Sequence, residues 1–276
     1  MATTTSLPSS LSEGIYWLPD TPLPSASDAI EICQVPGEVQ FSEETVRDTQ
    51  NYWDNVVAPS NPRTFDGRVW GVQQWRGIGP NKLQVELQRS WYRYQLYLHF
   101  SPRALEIKEK LNPFGCCAIT LVDGGTAIMA GRRSAQVACC PNMWHLTPAG
   151  TVDVDDPVAV IRKEMPEELG VPGDSLDVRL LGLFDTGAEQ AHKPELVFVI
   201  DLGSTKSSDI LARTRTEAVD KWEHSRIQAV PLTRMDQALN GDEPWTYVSK
   251  VAIRAFLNLQ PSSIHRSTIT ASSKCA

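Results

Sequence analysis

Residues 149–171 read AGTVDVDDPVAVIRKEMPEELGV and contain the most informative pattern in the chain. Asp156-Pro157 predicts the start of a helix, because aspartate caps free N–H groups and proline at the first helical position needs no N–H. Gly170 predicts the end of the same helix. Four apolar residues recur between these points at helical spacing, namely Val158, Ile161, Met165 and Leu169. We therefore expect one face of this helix to pack on a sheet.

Three carboxylates lie in the second half of this predicted helix. Glu164 and Glu168 are four residues apart and project from neighbouring points, and Glu167 lies to one side. A solvated acidic surface is the simpler interpretation, but carboxylates near a helix C-terminus interact unfavourably with the helix dipole. Oxygen ligands on a short, rigid element suit Mg²⁺ or Mn²⁺. The pattern therefore leaves two interpretations open, a solvated acidic surface and a site for a divalent cation.

The whole segment resembles the Nudix box, whose pattern is Gly, five residues, Glu, seven residues, then Arg-Glu-apolar-any-Glu-Glu-any-Gly-apolar. KEMPEELGV (163–171) matches the second half, with Lys163 in place of the arginine. Counting back, the first glutamate of the box falls on Asp155 and its opening glycine on Ala149, with Gly150 one place later. With its flanking strands the resemblance covers about 111–235.

A Nudix resemblance implies hydrolysis of a small organic diphosphate by metal-activated water, with Mg²⁺ (or Mn²⁺) as cofactor. It implies that Glu164 and Glu168 are metal ligands and that Glu167 is a ligand or positions water. A backbone carbonyl at Ala149 or Gly150 is expected to complete the metal shell.

The same resemblance leaves the general base outside the box, with Glu223 and Glu189 as candidates. Arg132 and Arg133 end a predicted strand and are candidates for bidentate binding of a phosphate, with a solvated strand end as the alternative for each.

Two departures from the box support an alternative, a non-hydrolytic Nudix-fold protein that binds a ligand or catalyses another reaction in the same pocket. Asp155 and Lys163 replace the supporting Glu–Arg ion pair of the box, and lysine offers no bidentate fork. Pro166 lacks the N–H that would bond to the carbonyl of Arg162, so we expect a kink in the helix there.

The rest of the chain predicts an α/β protein. Asp123-Gly124 between two apolar runs predicts a hairpin of strands at 116–122 and 126–133. Further strands are expected near 143–146, 178–185, 195–202 and 227–231, with helices near 157–169, 208–222 and 244–258. This order predicts a Nudix-type α/β/α sandwich with a mixed sheet over residues 111–260, followed by a polar tail at 261–276.

The N-terminal part predicts two further regions. Residues 1–40 are rich in Ser, Thr and Pro and predict a poorly ordered tail. Residues 41–110 predict a small α+β module with a helix at 43–56. NPRTFDGRVW, the Tyr-rich stretch after it and NPFG (112–115) resemble the pre-Nudix domain of a branch that hydrolyses nucleoside-diphosphate sugars such as UDP-glucose. The aromatic run at 91–97 suits stacking on a base or an apolar pocket for a prenyl chain.

Composition limits the partners. The net charge of −7 argues against a nucleic-acid or anionic-membrane surface, and no apolar run is long enough to span a bilayer. The start has no secretory pattern, and none of the six cysteines forms a C-x-x-C motif. We therefore expect a cytoplasmic protein with reduced cysteines and a small-molecule diphosphate substrate. The oligomeric state is left open.

Overall fold

The computed structural model describes residues 13–60, 64–104 and 106–259. The strands of these residues are β1 (Ile15–Trp17), β2 (Ile30–Glu38), β3 (Arg68–Gly79), β4 (Lys82–Trp91), β5 (Gly115–Val122), β6 (Ala127–Arg133), β7 (Trp144–Leu146), β8 (Ala149–Thr151), β9 (Val178–Asp185), β10 (Pro194–Asp201) and β11 (His224–Pro231). The helices are α1 (Ala26–Ala29), α2 (Glu43–Tyr52), α3 (Ala58–Ser60), α4 (Tyr92–Phe100), α5 (Pro157–Leu169), α6 (Ser207–Thr216), α7 (Leu232–Asn240) and α8 (Tyr247–Leu259). None of the helices in this part of the chain is long and apolar enough to cross a membrane.

The main sheet has eight strands, six of them in the order β1-β9-β10-β5-β6-β11, with β7 paired to β6 and β8 to β5. It is mixed, because β10 runs parallel to β5 whereas β5 and β6 are antiparallel. One buried cluster joins the sheet to α5 and α6, and a second joins it to α7 and α8. The predicted α/β/α sandwich is therefore confirmed. The sequence prediction omitted α7 and the short strand β8.

Helix α5 has the predicted start and end. The Asp156 carboxylate accepts a hydrogen bond from the Val158 N–H at 2.8 Å, and Gly170 adopts a φ of 66° that favours glycine. The four apolar residues predicted to face the sheet are all buried, at 2% exposure or less. Their burial fixes the rotation of α5 about its axis, so the remaining faces of the helix are set as well.

Pro166 does not interrupt α5, which is helical on both sides of it. The loop after the helix lies against the carbonyl of Arg162, the group that proline leaves without its usual donor. A Cβ at Gly173 would overlap that carbonyl oxygen, so the loop approaches as closely as glycine allows. The Arg162 guanidinium also donates to the Leu176 carbonyl at 3.1 Å. The helix is therefore continuous through Pro166, and the loop covers the backbone at this point.

An N-terminal module consists of a second sheet, in the order β2-β4-β3, together with α2 and α4. Its strand β2 and the main-sheet strand β1 lie within residues 1–40, so the structure differs from the tail expected there. The alternation in Ile30–Glu38 is interrupted by Pro36-Gly37, which hid the strand in the sequence. Residues 1–12 and the polar tail predicted at 261–276 lie outside the described residues.

The N-terminal module is joined to the main sheet by backbone hydrogen bonds and by a common hydrophobic core. The Trp70 N–H donates to the Val152 carbonyl at 3.1 Å, and the Phe114 N–H donates to the Trp70 carbonyl at 2.9 Å. Arg89 of β4 lies over the Trp70 ring at 3.8 Å and pairs with Asp155 at 3.0 Å. The segment that leads into α5 is therefore held from the module side.

We predict that Gly173→Ala lowers the free energy of unfolding by about 1–3 kcal/mol, because the added methyl must displace the Arg162 backbone. Gly79→Ala is the control, since a Cβ there meets nothing within 4 Å, and we expect it to change stability by less than about 0.5 kcal/mol. Urea unfolding of both variants measures the difference. Equal stability of the two variants would contradict the close approach at Gly173.

Candidate active site

A cavity of about 590 Å³ lies between the N-terminal module and the main sheet. One end is lined by Gly150, Glu164 and Glu223. The module contributes Phe65 and Tyr92 to its wall. Helix α5, strands β5 and β8 and the turn before β11 therefore all contribute residues to the wall of one cavity.

Glu168 is the most tightly held carboxylate of this region, with an exposure of only 2%. The Thr147 hydroxyl donates to one of its oxygens at 2.6 Å, and the Ala149 N–H donates to the other at 3.0 Å. Thr147 lies in the short connection between β7 and β8, and Ala149 is the first residue of β8. The Glu168 carboxylate is thus held in one orientation by a segment that packs against α5.

Glu164 lies one turn earlier on α5, beside the backbone of Gly150. A Cβ at position 150 would stand 2.7 Å from its Oε1, so glycine is what lets the carboxylate reach the strand. The Lys163 ammonium is 3.7 Å from the same oxygen, but the lysine side chain is half exposed. A mobile, solvated ammonium is therefore the only cation found beside Glu164 among the described residues.

Glu223 faces this pair from a 3-10 turn at Lys221–Glu223. Its backbone carbonyl accepts from the Ser134 N–H at 2.7 Å, which ties the turn to the end of β6. The Arg133 side chain lies close enough to lower the pKa of both Glu223 and Glu168. We call Glu164, Glu168 and Glu223 the carboxylate cluster.

All three members of the carboxylate cluster have raised pKa values. Burial, and then the neighbouring Glu168 carboxylate, raise the pKa of Glu164 to about 9. Burial raises the pKa of Glu168 to about 8 even though its two hydrogen bonds oppose the shift. Burial also raises the pKa of Glu223. Three desolvated, like-charged groups either hold protons or need a cation to become fully ionised.

Glu167 stands at the edge of this arrangement. Its carboxylate is 3.8 Å from the Lys163 ammonium, and its charge helps to raise the pKa of Glu164. It does not line the cavity itself, as expected for a residue on the neighbouring face of the helix.

The expected ion pair between Asp155 and Lys163 is not formed. Asp155 pairs with Arg89 of the N-terminal module, and Lys163 lies within 3.9 Å of Asp153 instead. Lys163 thus contacts Asp153, and Asp155 is already paired with the guanidinium of Arg89.

The two candidate arginines are separated by the alternation of β6. Arg133 lines the cavity and donates from Nε to the Cys139 carbonyl at 2.8 Å. Arg132 points the other way, bonds to the Asn142 carbonyl at 3.1 Å and approaches Glu243 at 3.5 Å. Successive strand residues face opposite sides of a sheet, so both cannot contact one ligand. The prediction for Arg132 is corrected on this ground.

Glu189 is likewise held outside the cavity. Its carboxylate accepts from the Tyr247 N–H at 2.6 Å, at the start of α8. This contact satisfies a free helix N–H and makes Glu189 a capping residue, so it is no longer a candidate general base.

His224 is a site residue that the sequence analysis missed. Its ring lies against Gly131, where a Cβ would overlap it, and its Nε2 is 3.6 Å from Oε2 of Glu168. Burial lowers its pKa to about 4, and its Nδ1 is buried without a hydrogen-bond partner in the described chain. A single histidine at the start of a strand carried no signal in the sequence. Its neutral ring backs the carboxylate cluster.

The other end of the cavity holds a second buried polar group. The Lys193 ammonium is 3.1 Å from Oε2 of Glu195, and the His145 Nε2 is 3.9 Å from Oε1 of the same carboxylate. A Cβ at Gly115 would stand 2.7 Å from the Lys193 Nζ, so this glycine provides the space for the pair. The sequence analysis identified none of these residues.

The described cysteines are all free, and burial raises the pKa of each thiol along the cavity. Cys139 lines the cavity but has no activating base among its contacts. A nucleophilic thiol needs a lowered pKa, so these cysteines are not equipped for covalent catalysis.

Comparison with protein-family models and with curated proteins finds no match. Among solved structures, a Deinococcus radiodurans protein is 15% identical over 68% of this chain and 99% of its own, with a TM-score of 0.45. A mutT/nudix family protein from Listeria innocua is 15% identical over 54% of this chain and 94% of its own, with a TM-score of 0.41. The NUDIX domain of Shewanella oneidensis NrtR, complexed with ADP ribose, is 13% identical over 59% of this chain and 96% of its own, with a TM-score of 0.39. These three TM-scores are all below 0.5.

We predict that the metal-free protein loses stability as the pH rises from about 6 to about 8. Over this range the folded state holds protons on Glu164 and Glu168 that the unfolded chain releases, so unfolding becomes more favourable as the pH rises. In EDTA, the Glu164→Gln protein should lose less stability over the same pH range, because a glutamine at this position has no proton to release on unfolding. Urea unfolding at both pH values measures the difference. A pH dependence that is identical in the two proteins would contradict the raised pKa of Glu164.

Proposed function

We propose that this chain is a Nudix-type hydrolase that cleaves a small organic diphosphate with a divalent cation, Mg²⁺ or Mn²⁺. The observation that carries the proposal is the carboxylate cluster, whose raised pKa values mark a site that is electrostatically incomplete without a cation. Arg133 also lines the cavity, and its guanidinium suits the phosphate of such a substrate.

The donor set fits the proposed metal. Carboxylate oxygens of Glu164 and Glu168, with the backbone carbonyl of Gly150, are hard oxygen ligands of the kind that Mg²⁺ binds. Asp153 also lines the cavity, and its Oδ1 is buried without a hydrogen-bond partner in the described residues. When bound, a divalent cation neutralises charge on phosphoryl oxygens and lowers the pKa of water.

The residues of the chain have separate tasks in this proposal. Glu164 and Glu168 would hold the cation, and hydrogen bonds from Thr147 and Ala149 keep Glu168 in place. Arg133 binds the phosphate oxygens and is itself anchored by the Cys139 carbonyl. Glu223 lies beside Glu164 and Glu168, and its raised pKa suits a group that accepts a proton from water.

The far end of the cavity favours a substrate whose non-phosphate part is polar. Gln190, Lys193 and Thr246 line it, and they offer donors and acceptors to hydroxyl or amide groups. Phe65 is 81% exposed at the wall and offers a flat surface for stacking. These groups favour a nucleoside diphosphate sugar, whereas a prenyl chain would leave the buried polar groups unsatisfied.

The alternative is a non-hydrolytic protein with the same pocket. This alternative is supported by the Lys163 ammonium, which lies beside Glu164 and Glu167 and supplies positive charge without a metal. Because this lysine is half exposed, its attraction to the carboxylates is screened by water, and a divalent cation is expected to displace it.

The function is tested by incubating the protein with nucleotide sugars, dinucleotides and prenyl diphosphates, with Mg²⁺ or with EDTA, and quantifying the phosphorylated products. We expect Mg²⁺-dependent cleavage of nucleotide sugars and no cleavage of prenyl diphosphates. Absence of metal-dependent turnover in every class would favour the non-hydrolytic alternative.

We predict that Glu168→Gln lowers kcat at least about 100-fold while the fold is kept. The substitution preserves size, and the Thr147 hydroxyl can turn to accept from the new amide, but one metal-binding charge is lost. Glu217→Gln, which makes the same change on an exposed residue at the end of α6, should stay within about twofold of wild type. Turnover at saturating Mg²⁺, with circular dichroism as a check of folding, measures both. Normal turnover in Glu168→Gln would remove this residue from the site.

We predict opposite outcomes for two neighbouring arginines. Arg133→Met should lower kcat/KM by about 10- to 100-fold, because a charge-assisted bond to phosphate is lost. Arg132→Met should change it by less than about threefold, since that side chain bonds outside the cavity. Initial rates at low substrate concentration compare the two. Equal losses would show that the effect is general and unrelated to the cavity.

A further inference from the structure

Cys117, His145 and Glu195 bring three different donor atoms together at the far end of the cavity. A thiol sulfur, an imidazole nitrogen and a carboxylate oxygen all lie within 4.8 Å of one another, and all three residues are buried. Cys117 comes from β5, His145 from β7 and Glu195 from β10, so the group is positioned by paired strands of the main sheet. We call these three residues the thiol cluster.

We propose that the thiol cluster is a binding site for one thiophilic divalent cation such as Zn²⁺, separate from the carboxylate cluster. Thiolate sulfur, imidazole nitrogen and carboxylate oxygen are the three ligand types that zinc takes in proteins. Three protein ligands leave one coordination position free. His145 and Glu195 line the cavity, so that position faces the space open to small molecules.

The imidazole of His145 is held in an orientation that suits a ligand. Its Nδ1 lies 2.8 Å from the Thr246 hydroxyl and 3.1 Å from the Ser249 hydroxyl. The Leu146 N–H in turn donates to Ser249 at 3.0 Å, which fixes this support. Burial keeps the ring neutral by lowering its pKa to about 3. In the tautomer that donates from Nδ1, the lone pair of Nε2 points toward Glu195, as metal-binding histidines require.

Glu195 divides its two oxygens between different neighbours. Oε2 contacts the Lys193 ammonium, whereas Oε1 faces the imidazole of His145. Burial by itself would raise the pKa of Glu195, but the Lys193 ammonium lowers it, so the carboxylate is ionised. One charged oxygen is therefore already directed toward the centre of the thiol cluster.

Cys117 is the third member of the thiol cluster and, unlike His145 and Glu195, does not line the cavity. It has no solvent exposure, it bonds to the Glu195 carboxylate, and burial raises its pKa well above the usual range. Cation binding would form a metal–sulfur bond and release the thiol proton to water, with no change in oxidation state. The bond to sulfur distinguishes this site from the carboxylate cluster, in which the proposed ligands are all oxygen atoms.

Lys193 is the competing cation. Its ammonium compensates the charge of Glu195 when no metal is bound. When a metal is bound, the ammonium must move into the cavity, because the two cations would repel each other at this distance. The side chain borders the cavity, so the space for this movement exists. Lys193→Met should therefore tighten metal binding.

The test uses Co²⁺, whose bond to a thiolate gives a charge-transfer absorption that oxygen ligands do not give. We expect this absorption to appear when Co²⁺ is added to the metal-free wild-type protein and to disappear on adding Zn²⁺. Cys117→Ser should abolish it, and Lys193→Met should lower the Co²⁺ concentration needed to reach half of it. Cys116→Ser is the matched control, because its thiol is equally buried one residue away but is directed to the Gly150 carbonyl at 3.7 Å.

Each outcome separates the possibilities. No absorption in the wild type at excess Co²⁺, or absorption that survives in Cys117→Ser and is lost in Cys139→Ser, would overturn the proposal. If Cys117→Ser does not fold by circular dichroism, Glu195→Gln replaces it and should weaken Zn²⁺ binding at least about 10-fold. The readout is independent of hydrolysis, and Glu168→Gln should keep the absorption. Loss of the proposed hydrolase function therefore leaves this test intact.

Discussion

The carboxylate of Glu168 is buried beside other carboxylates and is held there by the Thr147 hydroxyl and the Ala149 N–H. This arrangement costs free energy, since desolvation and like charges both oppose ionisation. The rest of the site is organised around that cost. Gly150 gives Glu164 access to the same place, and Arg133 on β6 partly offsets the negative charge. The remaining charge is what a divalent cation would neutralise.

Helix α5 could be predicted from the sequence because all the forces that define it are local. The cap of Asp156, the left-handed conformation of Gly170 and the apolar spacing act within one stretch of chain. The glutamates of α5 were predicted with it, since helical geometry relates them to the buried face. Pro166 was the exception, because the loop that covers the freed carbonyl of Arg162 is formed by residues that follow the helix.

The other site residues depend on contacts between distant segments. Alternation along β6 implied that Arg132 and Arg133 face opposite sides, but only the packed structure shows which side carries the cavity. Arg89 took the place expected for Lys163 because the N-terminal module brings it to Asp155. His224 became part of the site through its contact with Gly131, which no local pattern records.

The interface between the N-terminal module and the main sheet has a consequence for how the protein can come apart. Trp70 exchanges backbone bonds with both Val152 and Phe114, and Arg89 covers its ring while holding Asp155. Detaching the module would expose the segment that leads into α5 and remove the wall that carries Tyr92. The two regions are thus expected to melt in a single cooperative step. A protease that cut the module away would therefore leave the carboxylate cluster without that wall.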